Sequence, residues 1–516
     1  MPRADPAPPQ RPLLRLRRGS GEAGFRPCAR CRPELAPQVP WLGTSATVSR
    51  ALRLAADDGR EGGTPIPELA ARLGIGDRHL RRLFLDHLGA TPRAIALTRR
   101  AHFARRLLDE TDLPMAHVAF GAGFGSIRRF NDVMRRTFKT SPRRLRRDRH
   151  RSGSARLALR LPYKPPFAWP ELLAYLAARA IPGVESVTTE EYRRTITIES
   201  WTGAISARHV PADRAITLEI HAPAGAPPRN LLQIAERARR IFDLAADPLV
   251  ISSHLKRDPR LARELRARPG MRVPGAWDGF EVAVRIILGQ QVSVTGATTL
   301  AGRLARKLGT PVAGLEALGL DLLFPDAARL ATSDLRSIGI PAARAATLRA
   351  IATAVASGRL DLGASADPAA CLATARAIPG IGPWTAQMIA MRALSEPDAF
   401  PASDLGIRKA LAKNGKLAPP AEVDRISRPW SPWRSYAAMV LWTSRTGGGQ
   451  APALQAPSRT GGGQAPALQA PSRTGGGQAP ALQAPSRTGG GQAPALQAPS
   501  RTGGDKPRPT NPSRSR

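Results

Sequence analysis

Apolar positions recur with the spacing of amphipathic helices through residues 41–150 and again through 230–444. Residues 151–229, which lie between these regions, contain runs in which apolar and polar residues alternate, such as TITIES at 195–200. A period of about 3.6 residues predicts helices, and a period of 2 predicts strands that are buried on one face. The pattern therefore predicts a mainly α chain with one small α+β domain.

The two ends of the chain lack this periodicity. Residues 1–40 are rich in Pro and Arg, and 445–516 consist mainly of the 14-residue unit RTGGGQAPALQAPS, repeated four times. Each unit carries a single Leu, which is too little apolar surface to offset the entropy lost on ordering. We predict that both ends are disordered.

The net charge of the chain is +37, with 77 Lys and Arg against 40 Asp and Glu. Such an excess favours a polyanionic partner, although the arginine-rich coding of a GC-rich genome produces the same excess without one. No apolar stretch approaches the ~18 residues of a membrane span, and the N-terminus lacks the apolar core of a secretory signal. Three cysteines form no disulfide framework. We expect a cytoplasmic, nucleoid-associated monomer with no membrane partner.

Two stretches within 41–150 have the rhythm of helix, tight turn and helix, at residues 65–89 and 115–142. Their second helices present basic and amide side chains on the outward face, a composition that fits the major groove of DNA. The candidates for DNA contact are Arg81, Arg82, Arg128, Arg129 and Asn131. The alternative is that these side chains merely solvate the surface of a helical bundle.

The second stretch contains GFGSIRRFN (123–131) followed by FKTSPRRLR (138–146). This combination resembles the C-terminal signature of the AraC-type DNA-binding domain. The resemblance implies two helix-turn-helix motifs joined by one long helix, here at about 92–109. It also makes promoter DNA a candidate partner.

The segment FRPCARCRP (25–33) resembles the end of the zinc domain of Ada-type methylphosphotriester sensors, in which four cysteines bind the metal. This chain offers only Cys28 and Cys31 there. A tetrahedral structural zinc site needs four ligands, so we predict an incomplete site that does not hold zinc stably. We expect catalysis to need no cofactor.

A helical hairpin is predicted in AIPGIGPWTAQMIAMRAL (377–394), where Gly380, Ile381 and Gly382 separate two helices. The glycines let the backbone turn tightly, and the amides at the start of the second helix face outward with the positive end of its dipole. This arrangement binds a DNA phosphate without reading sequence. Many DNA proteins that are not enzymes contain one.

Asp404 lies twenty-two residues beyond Gly382, in FPASDLGIRKAL (400–411). Taken alone, an Asp at the start of a helix is usually an N-cap. Together with the hairpin, it resembles the helix-hairpin-helix (HhH-GPD) superfamily of base-excision DNA glycosylases. That resemblance implies that Asp404 is the catalytic carboxylate.

Three further segments are similar to AlkA-type 3-methyladenine DNA glycosylases: residues 161–187, 268–294 and 428–442. The resemblance covers about 160–444. It implies the AlkA N-terminal α+β domain at 151–229 and all-α glycosylase domains, with an active cleft between them, at 230–444. The implied partner is double-stranded DNA with alkylated bases.

The resemblance also assigns side chains to a substrate pocket. Trp433 is carried over as the aromatic residue that stacks on the base, with Trp384 and Trp277 as further candidates. Two pocket positions that are aromatic in AlkA hold Met388 and Leu405 here, which leaves the substrate range open. The residue that enters the duplex as a wedge corresponds to Gln291.

One position separates two enzyme subclasses. Relatives that also cut the DNA backbone carry a Schiff-base lysine at the start of the second hairpin helix. Trp384 occupies that position, and no lysine occurs between Lys307 and Lys409. We predict a monofunctional glycosylase, without the four-cysteine iron–sulfur loop of the endonuclease III branch. The alternatives are a transcription regulator of the alkylation response with an auxiliary glycosylase domain, and a non-enzymatic DNA binder, which would not need Asp404.

Overall fold

A computed structural model of the chain describes residues 64–147 and 157–446, except 224, 226, 364 and 365, and part of 47–54. The cysteine pair Cys28 and Cys31 and the repeats beyond residue 446 lie outside these residues. No helix within the described ranges is long and apolar enough to cross a membrane.

Residues 64–147 of the first region form six helices: α1 (Ile66–Arg72), α2 (Asp77–Leu88), α3 (Pro92–Glu110), α4 (Met115–Gly121), α5 (Ile127–Phe138) and α6 (Pro142–Arg147). The helix α3 joins two helix-turn-helix motifs, as predicted. Its start is set locally, because Pro92 suits the first turn of a helix and the Thr91 side chain accepts the Ala94 N–H at 3.3 Å.

The second region is built on a five-stranded antiparallel sheet of order β1-β5-β4-β3-β2. Its strands are β1 (Ala158–Pro162), β2 (Glu185–Val187), β3 (Glu191–Ile198), β4 (Trp201–Val210) and β5 (Ala215–His221). The helix α7 (Trp169–Ala177) lies between β1 and β2 in the chain. Alternation of buried and partly exposed residues along β5 agrees with the period of 2 in the sequence.

The third region is almost entirely helical. Its helices are α8 (Leu231–Ile241), α9 (Pro248–Leu255), α10 (Pro259–Ala267), α11 (Gly279–Leu288), α12 (Val294–Leu308), α13 (Ala327–Thr332), α14 (Ala342–Ala356), α15 (Pro368–Arg376), α16 (Pro383–Arg392), α17 (Leu405–Ala410), α18 (Pro420–Ser427) and α19 (Arg434–Thr446). A short strand pair, β6 (Thr310–Pro311) with β7 (Leu322–Leu323), interrupts them. The sequence pattern did not predict this pair.

Two of the hydrophobic clusters in the described part of the chain lie mainly in the helical region. One contains Ile287 of α11 and Ile389 of α16, and the other contains Ile407 of α17 and Val440 of α19. Trp442 packs against both clusters. The two clusters therefore meet at Trp442, near the C-terminal end of α19.

Candidate active site

The predicted hairpin is formed by α15, the turn at 377–382 and α16. Gly380 has φ +91°, and a Cβ at this residue would collide with Thr347 Oγ1, so the position requires glycine. Gly382 has open space around it, and no side chain caps α16. The start of α16 therefore presents backbone and a positive dipole end, which suit a phosphate group.

Asp404 caps the N-terminus of α17 and at the same time faces two indole rings. Its Oδ1 accepts the Ile407 N–H at 3.0 Å and the Trp442 Nε1–H at 2.9 Å. Its Oδ2 accepts the Trp384 Nε1–H at 3.0 Å. Asp404 is therefore a helix cap, as its position predicts, and it stays the candidate for the catalytic carboxylate because both oxygens also face indole N–H groups. Three donors from three elements fix the orientation of one carboxylate.

Close packing at Gly406 brings Trp442 to Asp404. A Cβ added at Gly406 would lie 3.0 Å from Asp404 Oδ1 and 3.1 Å from Trp442 Cδ1. Contacts of that length are tighter than ordinary van der Waals packing, so a larger residue at 406 would displace the indole or the carboxylate. The glycine therefore belongs to the architecture of the site.

The structure places the predicted pocket aromatic Trp433 elsewhere. Trp433 is 5% exposed, lies just before α19 and packs edge-on against Tyr436, with 5.8 Å between ring centroids. Trp442 contacts Asp404 instead, and the sequence reasoning missed it. Both residues lie in the segment 428–442, but Trp442 is placed by the helical path of α19, which the resemblance alone did not supply. Trp277 is also buried, at 5% exposed, in a core cluster that it shares with the helix-turn-helix region, the sheet and α8.

The two positions that differ from AlkA have contrasting environments. Met388, one turn into α16, is 9% exposed and belongs to a hydrophobic cluster. Leu405 directly follows Asp404 and is 52% exposed. A large apolar side chain this accessible next to the carboxylate is suited to contact a bound base.

The wedge candidate Gln291 is exposed and has φ +56°. A non-glycine residue in the left-handed region stores strain, which is common at functional sites. The neighbouring Gln290 ties this loop to the hairpin, since its Nε2 donates to Gly380 O and Thr385 Oγ1, both at 2.9 Å. Arg344 donates to Gln290 O at 2.7 Å. The structure thus places the loop that carries the wedge candidate Gln291 against the hairpin.

A buried ion cluster supports α11, the helix that leads into the loop containing Gln290 and Gln291. It consists of Glu185, Arg194, Glu281 and Arg285, with Arg194 Nη2 2.7 Å from Glu281 Oε2 and Arg285 Nη2 2.7 Å from Glu185 Oε2. Burial opposes ionisation of Glu281, but the charges of Arg194 and Arg285 outweigh it and lower its pKa. Burial also raises the pKa of Tyr192, which donates to Glu185 Oε1 at 2.6 Å.

The DNA-contact candidates of the helix-turn-helix motifs lie on accessible surface. Arg81, Arg82 and Arg128 are exposed, whereas Arg129 and Asn131 are partly buried. Arg82 Nη2 lies 3.0 Å from His79 Nδ1. No group of three or more potential metal-ligating side chains occurs among the described residues, and the free thiol of Cys371 is buried.

Fold and site together define a DNA glycosylase of the helix-hairpin-helix class. Residues 158–278 match the AlkA N-terminal domain and residues 69–148 match a helix-turn-helix domain. The probable bifunctional transcriptional activator/DNA repair enzyme AlkA of Mycobacterium tuberculosis is 41% identical over 430 residues, 82% of this chain and 85% of that protein. The chain belongs to the AlkA family of DNA-3-methyladenine glycosylases and carries an AraC-type helix-turn-helix region.

Two further proteins each match about half of the chain. DNA-3-methyladenine glycosylase 2 of Escherichia coli is 35% identical over 285 residues, 55% of this chain and 95% of that protein. The solved 3-methyladenine DNA glycosylase of Archaeoglobus fulgidus is 22% identical, with a TM-score of 0.48, and the match covers 55% of this chain and 96% of that one.

Proposed function

We propose that the chain is a monofunctional glycosylase that hydrolyses the N-glycosidic bond of alkylated purines, such as 3-methyladenine and 7-methylguanine, in duplex DNA. The observation that carries the proposal is the Asp404 carboxylate, fixed by Trp384, Trp442 and the Ile407 amide beside a phosphate-binding hairpin. A helix cap alone would need only the amide.

The reaction requires a carboxylate that does not have to reorganise. Cleavage of the bond builds positive charge on the sugar, and a fixed negative charge stabilises that transition state. A carboxylate has about four acceptor positions, and the donors on Asp404 leave Oδ2 able to accept a hydrogen bond from water. Asp404 thus both stabilises the sugar cation and orients or deprotonates the attacking water.

The base must leave the helical stack before Asp404 can reach its sugar. Gln291 fills the space that the base leaves, and the hairpin at Gly380–Gly382 holds a neighbouring phosphate. N-alkylated purines carry positive charge or are electron-poor, so they bind to electron-rich aromatic faces. The rings of Trp384 and Trp442 supply such faces. With Met388 and Leu405 in place of two further rings, the pocket selects less by stacking and more by apolar contact.

The assignment as monofunctional rests on the chemistry of the position at Trp384. An indole cannot form a Schiff base, and its N–H is directed at Asp404. Water is then the nucleophile, and the product is an abasic site in an intact strand.

The direct test incubates the protein with duplex DNA that contains 3-methyladenine or 7-methylguanine and measures release of the free base. We expect base release without strand breakage, and no covalent adduct after borohydride treatment. Breakage without alkali, or a trapped adduct, would refute the monofunctional assignment. Absence of base release from both substrates would refute the enzyme assignment.

A second function, transcription regulation of the alkylation response, is favoured by the exposed Arg81, Arg82 and Arg128 of the helix-turn-helix motifs. The test is a footprint on DNA upstream of alkylation-repair genes. Protection of a defined sequence that is lost in Arg128→Ala would support it. Protection that is uniform along the DNA would oppose it.

A further inference from the structure

The helix-turn-helix region and the sheet share one hydrophobic core. Leu107 of α3 and Phe130 of α5 belong to the same buried cluster as Leu159 of β1 and Leu231 of α8, and all four are 0% exposed. A domain on a flexible tether closes its own core and keeps a polar face toward its neighbour. A continuous core is instead typical of two parts that pack permanently against each other.

A close apolar contact across this interface joins α4 to α8. A Cβ added at Gly121, the last residue of α4, would lie 2.8 Å from Cδ1 of Leu231, the first residue of α8. Leu231 can pack against α4 at this point only because residue 121 has no side chain. Beside this contact, the Arg229 guanidinium lies 5.6 Å from the centroid of the Phe120 ring, a cation–π arrangement.

Charged side chains surround the apolar contact. Among the described residues, the pairs that join the two sides include Arg50 with Asp367 at 2.8 Å, Arg99 with Glu236 at 3.4 Å, and Glu110 with the Arg160 N–H at 2.9 Å. In the first two pairs the helix-turn-helix side supplies the cation and the glycosylase side supplies the anion. Complementary charge of this kind fixes the orientation of two surfaces. Burial raises the pKa of Glu110, as expected for a carboxyl group enclosed by the contact.

We infer that β1, the start of α8 and the carboxylates Glu236 and Asp367 form a docking surface whose partner is the helix-turn-helix region of the same chain. The helix-turn-helix region is one part, and the sheet and helical regions from residue 157 onward are the other. The two parts then form one rigid body that is held by noncovalent contacts. Residues 148–156, which connect them, are not needed to keep them together. This inference does not depend on the proposed reaction, because docking is measured without any substrate.

The test uses the full chain with a protease recognition sequence, flanked by glycines, inserted after residue 152. After cleavage, the docked arrangement predicts that the two parts co-elute in size-exclusion chromatography at micromolar concentration and 0.15 M salt. Raising the salt to 0.5 M weakens the ion pairs but leaves the apolar contact, so co-elution persists. Separation of the two parts at 0.15 M salt would overturn the inference.

Leu231→Ala probes the apolar contact in the cleaved protein. We expect the dissociation constant between the two parts to rise about tenfold or more, because a fully buried leucine loses its packing. Leu249→Ala is the matched control, since Leu249 of α9 is 64% exposed, and it should leave the constant within about twofold. Equal effects of the two variants would contradict the docking surface.

The ion pairs give an independent test that does not open a cavity. Arg99→Glu and Glu236→Arg should each weaken association, because each places like charges in contact. The double variant, which exchanges the charges, should restore association to within about threefold of the original. Circular dichroism of each cleaved protein checks that both parts remain folded. Failure of the exchange to restore binding would exclude Arg99 and Glu236 from the interface.

Discussion

Two aspartates near the hairpin, Asp367 and Asp404, both cap helices with one carboxylate oxygen. They differ in the other groups that bind the carboxylate. Asp367 Oδ1 accepts the N–H groups of Ala369 and Ala370 at the start of α15, at 2.9 and 3.2 Å. Its Oδ2 pairs with Arg50 at 2.8 Å. Asp404 also accepts an amide of its own helix, but its other donors are the two indoles.

The difference lies in charge. Burial works against ionisation of Asp367, but hydrogen bonding from Ala370 and the charge of Arg50 lower its pKa, and the same cation neutralises its field. An indole donates a hydrogen bond without bringing a positive charge. The negative charge of Asp404 is thus held in place without being cancelled. Neutral donors therefore suit the role proposed for Asp404, which is to stabilise a cationic sugar.

The largest effect is expected from Asp404→Asn. Asparagine retains the helix cap but removes the charge, so base release should fall by roughly 100-fold or more. Asp367→Asn makes the same chemical change at the other cap and should lower activity no more than about threefold. Single-turnover rates of free-base release measure both. Similar losses in the two variants would show that capping, rather than charge, explains Asp404.

The next largest effect concerns the indole donors. Trp442→Phe and Trp384→Phe keep an aromatic ring and remove the N–H, so each should lower kcat about tenfold, as expected for a hydrogen bond to a charged group. Trp433→Phe is the control for losing an indole away from the carboxylate. It should lower the melting temperature and leave kcat unchanged. A kcat effect from Trp433→Phe that matched the others would remove the distinction between them.

A smaller effect is expected from Gly406→Ala. The added methyl must displace Trp442 or the carboxylate by a few tenths of an ångström, so kcat should fall a few-fold with little change in affinity for undamaged duplex. Gly382→Ala is a useful contrast, because open space surrounds that position and a methyl there would meet only the DNA phosphate that the hairpin is proposed to bind. It should therefore weaken DNA binding more than kcat.

The smallest effect on activity is expected from Asp367→Ala. Loss of the cap and of the pair with Arg50 should lower the free energy of unfolding by about 1 kcal/mol. Base release should persist at a temperature where the protein is folded. Denaturant titration followed by activity measurements separates the two quantities. An activity loss without a stability loss would mean that Asp367 takes part in the reaction.

Several features followed from local sequence. The helix α3, the hairpin and the position of Asp404 each depend on nearby residues, such as Pro92, Gly380 and Gly382, whose conformational preferences act over a few positions. The alternating strands of the sheet were also visible as a period of 2. These elements were therefore predictable without knowledge of their neighbours.

Contacts between distant elements were not predictable in the same way. Trp433 and Trp442 have the same chemistry and lie in one short segment, and only the packing of α19 decides which of them reaches Asp404. Gly121 and Leu231 likewise look ordinary in the sequence. Their fit depends on two surfaces more than a hundred residues apart. Tertiary packing supplies that information.

The buried ion cluster of Glu185, Arg194, Glu281 and Arg285 limits how the region can be redesigned. Changing one member leaves a partner buried with an uncompensated charge, a loss of about 3–5 kcal/mol. Exchanging all four for apolar side chains of similar volume avoids that loss. Directed evolution that changes one residue at a time will therefore retain the four charged residues. A library that varies these four codons together can replace them with an apolar core.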